Sequence, residues 1–194
     1  MTSRYFELSR DDLVQTFGAE HVRQVPLAAA QAAGFTGEAL ALLANVGLPE
    51  NQFISFPDFD DADTGFQQVS LEELGATWHW PSSAANWVYL GNFEISAIVM
   101  DTQTGEVHQL AEGIMRPLPL HADLSSLLYT ITELTKIVGS LPEDYEDNDE
   151  FLEGLEETVD GLKSDVSLRD ANPFGSEHSE WVEIVTNIGA GMWG

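Results

Sequence analysis

The stretch from residue 87 to residue 137 confines this chain to a narrow range of folds. "WVYLG", "EISAIVMD" and "EVHQL" follow one another as strand signals with few residues between them. The middle run is apolar on both faces, which predicts a central strand. "DTQTGE" supplies the hairpin between the last two strands, with Gly105 at the positive-φ position of a bulged turn. "RPLPL" predicts an edge strand or an extended linker, since its prolines remove ladder donors. In "DLSSLLYTITELTKIV" the residues Leu124, Leu127, Leu128, Ile131, Leu134 and Ile137 share one helical face behind a predicted Asp123 N-cap. That face is expected to cover the sheet.

The flanking segments read as helices. "SRDDLVQTF" offers Ser9 as an N-cap with Asp12 three residues on, and "HVRQVPL" reads as an extended link. In "TGEALALLANVGLPENQF" a helix carries Ala39, Leu42, Leu43 and Val46 on one face. Gly47 stands at the left-handed position after its end, Leu48 is expected to fold back onto Leu43, and Pro49 forbids continuation. "FISF" predicts a short strand and "PDFDDADTGF" an acidic loop. Residues 141–160, "LPEDYEDNDEFLEGLEETVD", hold ten carboxylates and no Lys or Arg. Within and just beyond them Phe151, Leu155, Val159 and Leu162 fall at i, i+4, i+8 and i+11, so this is predicted to be a packed helix with a solvated carboxylate face. Gly154 and Gly161 weaken it by about 1 kcal/mol each, so tertiary contact must hold it. "NPFG" breaks the chain before "SEWVEIVTNI", where Trp181, Ile184, Val185 and Ile188 are expected to pack inward. No internal repeat is present. At 194 residues the expectation is a single α+β domain whose mixed or antiparallel central sheet is covered by helices.

Charge narrows the function. Seven Lys and Arg stand against 33 Asp and Glu, a formal charge of −26, and no Lys or Arg falls between Arg23 and Arg116 while twelve Asp and Glu do. Such a surface repels phosphate backbones and anionic lipids, so no direct nucleic-acid or membrane binding is expected. An acidic proteome, such as that of a salt-adapted organism, accounts for the same charge without any partner. The chain has no cysteine, so disulfides and Cys-based zinc sites are excluded. "MTSRYFELSRDD" has no apolar run like a signal peptide and "PLAAAQAAG" is too short to span a bilayer, which together predict a cytoplasmic protein.

Signals for chemistry are negative. A calcium loop started at Asp144 places Asp149 where Gly is required and Leu155 where Glu is required; started at Asp147, it places Phe151 at a ligand position. His21, His79, His108, His121 and His178 are scattered singly, without zinc-site spacing, and surface or edge positions are expected for each. Nucleophile elbows and phosphate-cradling glycine loops are missing. Paired carboxylates are present, as on any acidic surface. No catalytic residue, metal or cofactor is therefore assigned. The middle of the chain is different: "LEELGATWHWPSSAANWVYLG" brings Trp78, Trp80 and Trp87 close in sequence to the acidic loop. Aromatic anchors ringed by charge suit a protein-binding surface, so Asp58, Asp60, Asp61, Asp63, Glu72, Glu73, Trp78 and Trp80 are the expected partner-binding residues. Filling of the core beside the sheet is the competing role for the tryptophans, and Trp87 fits it best.

The order of these signals resembles a known family. "FTGEALALLANVGLPENQFISF", "WVYLGNFEISAIVMDTQTGEVHQL", "ADLSSLLYTITELTKI" and "EWVEIVTNIGAGMW" are similar to the SUKH superfamily, and most to its fourth subgroup of bacterial immunity proteins, over about residues 35–192. The shared features are a helix ending in Gly-Leu-Pro, an Asp-containing hairpin with Gly before a valine strand, and a Ser-Leu helix. The resemblance implies a non-catalytic α+β protein that neutralises a cognate polymorphic toxin by stoichiometric binding. Toxins of such systems are commonly nucleases or nucleic-acid deaminases with basic surfaces. A scaffold binding host proteins is the alternative, and an uncharacterised hydrolase a more distant one.

Overall fold

The computed structural model describes residues 6–59, 65–71, 78–111, 113–142, 145 and 149–193. Its centre is the predicted meander. Strands β3 (Trp87–Asn92), β4 (Ser96–Asp101), β5 (Val107–Ala111) and β6 (Leu118–His121) form one antiparallel sheet in that order; β1 (Val22–Arg23) and β2 (Leu48–Pro49) pair separately. β4 is central and almost wholly buried, as its two apolar faces require. The hairpin to β5 is closed by the Gly105 N–H donating to the Asp101 carbonyl. The Asp101 carboxylate accepts the Gln103 and Thr104 N–H groups, and Gly105 sits at φ +86°. β6, "LPLH", is the edge strand that follows from the "RPLPL" signal.

Among the described residues the α-helices are α1 (Arg10–Phe17), α2 (Leu27–Ala32), α3 (Gly37–Ala41), α4 (Leu124–Gly139), α5 (Asp149–Arg169) and α6 (Glu180–Gly189). Ser9 and Asp12 form the full reciprocal cap of α1, and the Asp123 carboxylate accepts the Ser126 N–H at the start of α4. Leu124, Leu127, Leu128, Ile131 and Leu134 of α4 share one core with Val88, Leu90, Ile98, Met100 and Val107 of the sheet. Leu155, Val159, Leu162 and Val166 of α5 join that core, as do Trp181, Val185 and Ile188 of α6, while Ile184 is half-buried.

One local expectation is corrected and two details are added. The helix carrying Leu42 and Leu43 stops at Gly47 as expected, but it widens into a π-turn over Leu42–Val46 first, and Gly47 takes φ +99°, ψ −176°, an extended mirror conformation leading straight into β2. "FISF" is not a strand. Ser55 alone bridges Asn92, exchanging both backbone hydrogen bonds at 2.9 and 3.0 Å. Finally, "PLAAAQAAG" contains α2, a helix whose Ala30 is buried and which no long periodic pattern announced.

Candidate functional site

One bulge and two isolated bridges shape the surface around β3. At Tyr89/Gly91 the β3–β4 register slips, so that Leu90 and Gly91 are both buried. Gly91 lies so close to Ser55 that an added Cβ would stand 2.6 Å from the Ser55 carbonyl oxygen. Further along the same edge, Gln68 bridges Val88, the Val69 N–H donates to Trp87 O, and the Tyr89 N–H donates to Gln67 O. The segment is thus tied to β3 at Ser55 and at Gln67–Val69 through backbone hydrogen bonds.

The outer sheet face carries a second apolar cluster of Val69, Ala84, Trp87, Val99 and Leu110. Trp78 and Trp80 lie half-buried against it, stacked with ring centres 5.1 Å apart, and Trp80 meets Trp87 edge-on at 6.2 Å. Trp87 is fully buried and its Nε1–H donates to Asp101 Oδ2 at 3.1 Å. Beyond it His108 stacks on Trp87 at 4.3 Å. The pair Trp78–Trp80 therefore packs on the sheet as a core-filling role requires, while each ring keeps part of its surface in solvent. Asp58 stands elsewhere, on the rim of a groove of about 490 Å³ walled by the 48–59 segment and by Asn92, Phe93 and Glu94. Arg23 reaches across this rim to Glu50 at 2.7 Å and Asp58 at 3.1 Å, and His21 bonds Glu50 at 2.8 Å. Asp60, Asp61, Asp63, Glu72 and Glu73 lie outside the described residues.

Cations do little to soften the surface charge. Among the described residues Arg23, Lys136, Lys163 and Arg169 are engaged with carboxylates of their own chain, and Arg10 donates to the carbonyls of Val22 and Val46. The exposed face of α5 keeps Glu153, Glu156 and Glu157 in solvent. No group of three or more His, Asp or Glu among the described residues could hold a metal ion, and no described helix is long and apolar enough to cross a membrane.

The histidines do not all lie at the surface. His121 is completely buried, because a second bulge, between its pairing with Val107 and the pairing of Pro119 with His108, turns Leu120 and His121 both inward. A directional hydrogen-bond chain follows. Trp181 Nε1–H can only donate, and it lies 2.8 Å from His121 Nε2, so that nitrogen must be the acceptor. The ring proton is therefore on Nδ1, which donates to Ser126 Oγ at 2.9 Å, and the Ser126 hydroxyl in turn donates to Asp170 Oδ2 at 2.6 Å. Asp170 also accepts the Ala122 N–H at 2.8 Å and the Asn172 N–H at 3.1 Å. Burial pushes its pKa up, but the nearby His121 ring and the hydrogen bonds from the Ser126 hydroxyl and the Ala122 N–H outweigh this and hold it below the usual range. Although Ser, His and Asp meet here, the imidazole donates to the hydroxyl instead of accepting from it, and Ser126 is fully buried. The trio is ordered as a structural lock, the reverse of a nucleophile and its base.

This arrangement dictates how stability varies with pH. Burial holds His121 below its ordinary pKa, and protonating Nε2 would set two donors face to face with Trp181. Burial likewise pushes His108 down to about 4 against the pull of Asp101. Below about pH 6.5 the unfolded chain takes up these protons and the folded chain does not, so stability falls with falling pH. The urea midpoint is expected to drop steadily from pH 6.5 to 5, at up to about 1.4 kcal/mol per pH unit for each histidine. His21, raised by its bond to Glu50, acts with the opposite sign above that window. A flat midpoint from pH 6.5 to 5 would show that the two rings are not held neutral.

An antiparallel meander with α4 on its inner face and a strapped aromatic layer outside is the α+β architecture expected of the SUKH superfamily. The chain belongs to the SUKH-4 immunity protein family, whose family model matches residues 8–187. The match begins before the resemblance drawn from short motifs and takes in α1, β1 and α2. No significant match was found among curated proteins or among solved structures. The sequence did not single out the groove, Glu94 or the His121 chain. Their residues are remote in sequence and meet only through the bulges and bridges.

Proposed function

We propose that this chain is an immunity protein that neutralises its cognate toxin by stoichiometric binding. In this reading the toxin is a nuclease or nucleic-acid deaminase with a basic surface, and the docking face is built from Asp58, Asp60, Asp61, Asp63, Glu72, Glu73, Trp78 and Trp80. The observation that carries the reading, within an immunity family, is the uncompensated carboxylate surface. A charge of −26, with the described cations largely engaged inside the chain, produces a field that captures a basic partner at long range. The half-buried Trp78 and Trp80 add anchors held rigid by the sheet beneath them.

Surface plasmon resonance with the product of the neighbouring toxin gene tests this. Association is expected well above the roughly 10⁵–10⁶ M⁻¹s⁻¹ of an uncharged pair, and added salt should slow association far more than dissociation. Replacing Asp58, Asp60, Asp61 and Asp63 together by Asn should cut the on-rate by roughly tenfold. Trp78→Ala should mainly speed dissociation, at a cost of about 2 kcal/mol. Replacing Glu153, Glu156 and Glu157 on α5 by Gln is the control: an equal loss there would assign the effect to net charge and remove the docking face from the reading. Failure of the wild-type chain to bind the toxin would overturn it entirely.

A further inference from the structure

The groove beside Asp58 has two rims of unlike electrostatic character. On the side of the 48–59 segment, Arg23 is held between Glu50 and Asp58, so the rim is partly neutralised from within. On the other side stands the turn between β3 and β4. There Glu94 is exposed and has no ion-pair partner among the described residues, and Ile95 beside it leaves 73% of its surface in solvent. The lining between the rims is aromatic. Phe93 packs edge-on against Trp181 at 5.0 Å, and Phe53 does the same at 6.0 Å, which fixes the floor to the core. Phe59 is backed by Phe66 at 4.8 Å, and Phe66 by the buried Phe35 at 4.7 Å. These rings are in place before any ligand arrives.

A cleft of about 490 Å³ that combines the rings of Phe53, Phe56, Phe59 and Phe93 with the polar Asn51, Gln52, Ser55 and Asn92, and ends on a carboxylate with no ion-pair partner among the described residues, suits one chemistry: a long aliphatic stem with a cationic head. A purely apolar side chain would leave Glu94 unpaired at its mouth, and an anionic one would meet three carboxylates against one arginine. We propose that this groove is a specificity pocket for a single arginine or lysine side chain of the toxin. The stem lies against Phe56, Phe59 and Phe93, the head pairs with Glu94, and Ile95 covers the neighbouring backbone of the partner. This rests on the immunity reading above, and it adds a pocket and an occupant that reading does not contain. Rings that stack on a planar cation and a carboxylate that pairs with it favour arginine over lysine.

The pocket can be probed without the toxin. N-acetyl-arginine amide, titrated into the full chain and followed by amide chemical shifts, should perturb residues 56–59 and 92–95 at millimolar concentration. N-acetyl-citrulline amide, its neutral isostere, should not, and Glu94→Gln should abolish the response. Equal perturbation of the exposed α5 carboxylates, or equal binding of citrulline, would overturn the pocket. Against the toxin itself, Glu94→Gln is expected to raise the dissociation rate about tenfold, and Ile95→Ala severalfold. Both positions are exposed, so folding is not at stake. If the toxin binds while both variants dissociate at the wild-type rate, the pocket assignment fails and the immunity reading stands; if the wild-type chain does not bind at all, both fail.

Discussion

Gly47→Ala is expected to destabilise the protein by about 2–4 kcal/mol, well beyond the effect of a helix-ending glycine. Its φ of +99° with an extended ψ is a conformation that side-chain-bearing residues rarely adopt. The added methyl would also stand 2.6 Å from the Arg23 carbonyl oxygen and 2.9 Å from its carbon, and Arg23 is the partner of Leu48 in the β1–β2 pair. Backbone on both sides cannot yield without parting that pair, so strain and overpacking add. Gly105→Ala isolates the first contribution. Its φ is +86°, but the nearest atom to an added methyl is the Met100 Cε at 4.0 Å, so its cost should stay near 1 kcal/mol. Equal urea midpoints for the two variants would show that β1 moves away freely from the turn.

Asp170→Ala should cost about 3–5 kcal/mol, since the Ala122 N–H, the Asn172 N–H and the buried Ser126 hydroxyl all lose their acceptor. The loss would propagate along the chain: Ser126 would turn, His121 Nδ1–H would lose its defined acceptor, and Trp181 would lose a fixed partner. Ser126→Ala made in the Asp170→Ala background should therefore cost at least about 1 kcal/mol less than in the wild type. Additive costs in such a double-mutant cycle would mean that the four side chains are neighbours and not one unit.

The meander and its covering helix were legible because each depends on local pattern: alternating or continuous apolar runs, a glycine in a hairpin, and a cap at Asp123. The amphipathic face of the acidic helix was legible for the same reason. His121 was not. Its partners lie 5, 49 and 60 residues away in sequence, and a bulge reverses the side to which the alternation of "LPLH" assigns it. Trp78 and Trp80 stood out in the sequence, but not their half-burial against the outer sheet face, which is set by contacts that composition does not carry. The groove was invisible because it belongs to no element: it exists where Ser55 meets Asn92, and a contact between a loop residue and a strand end leaves no periodic trace. Gly91 is the one local sign of it, since only glycine admits the Ser55 carbonyl so closely.

The two backbone bridges that bracket the acidic loop, Ser55 to Asn92 and Gln68 to Val88, have a consequence for how such a protein changes over time. Peptide groups make these attachments, and peptide groups are the same whatever side chains they carry. Substitutions at exposed positions between the two bridges, such as Asp58, can therefore rewrite the outward chemistry of the molecule, while the backbone bridges and the packed Phe56, Phe59 and Phe66 keep its tether to the fold. A lineage pursuing a toxin that keeps altering its surface has here a stretch open to revision at little cost in foldedness, set beside a core that is not.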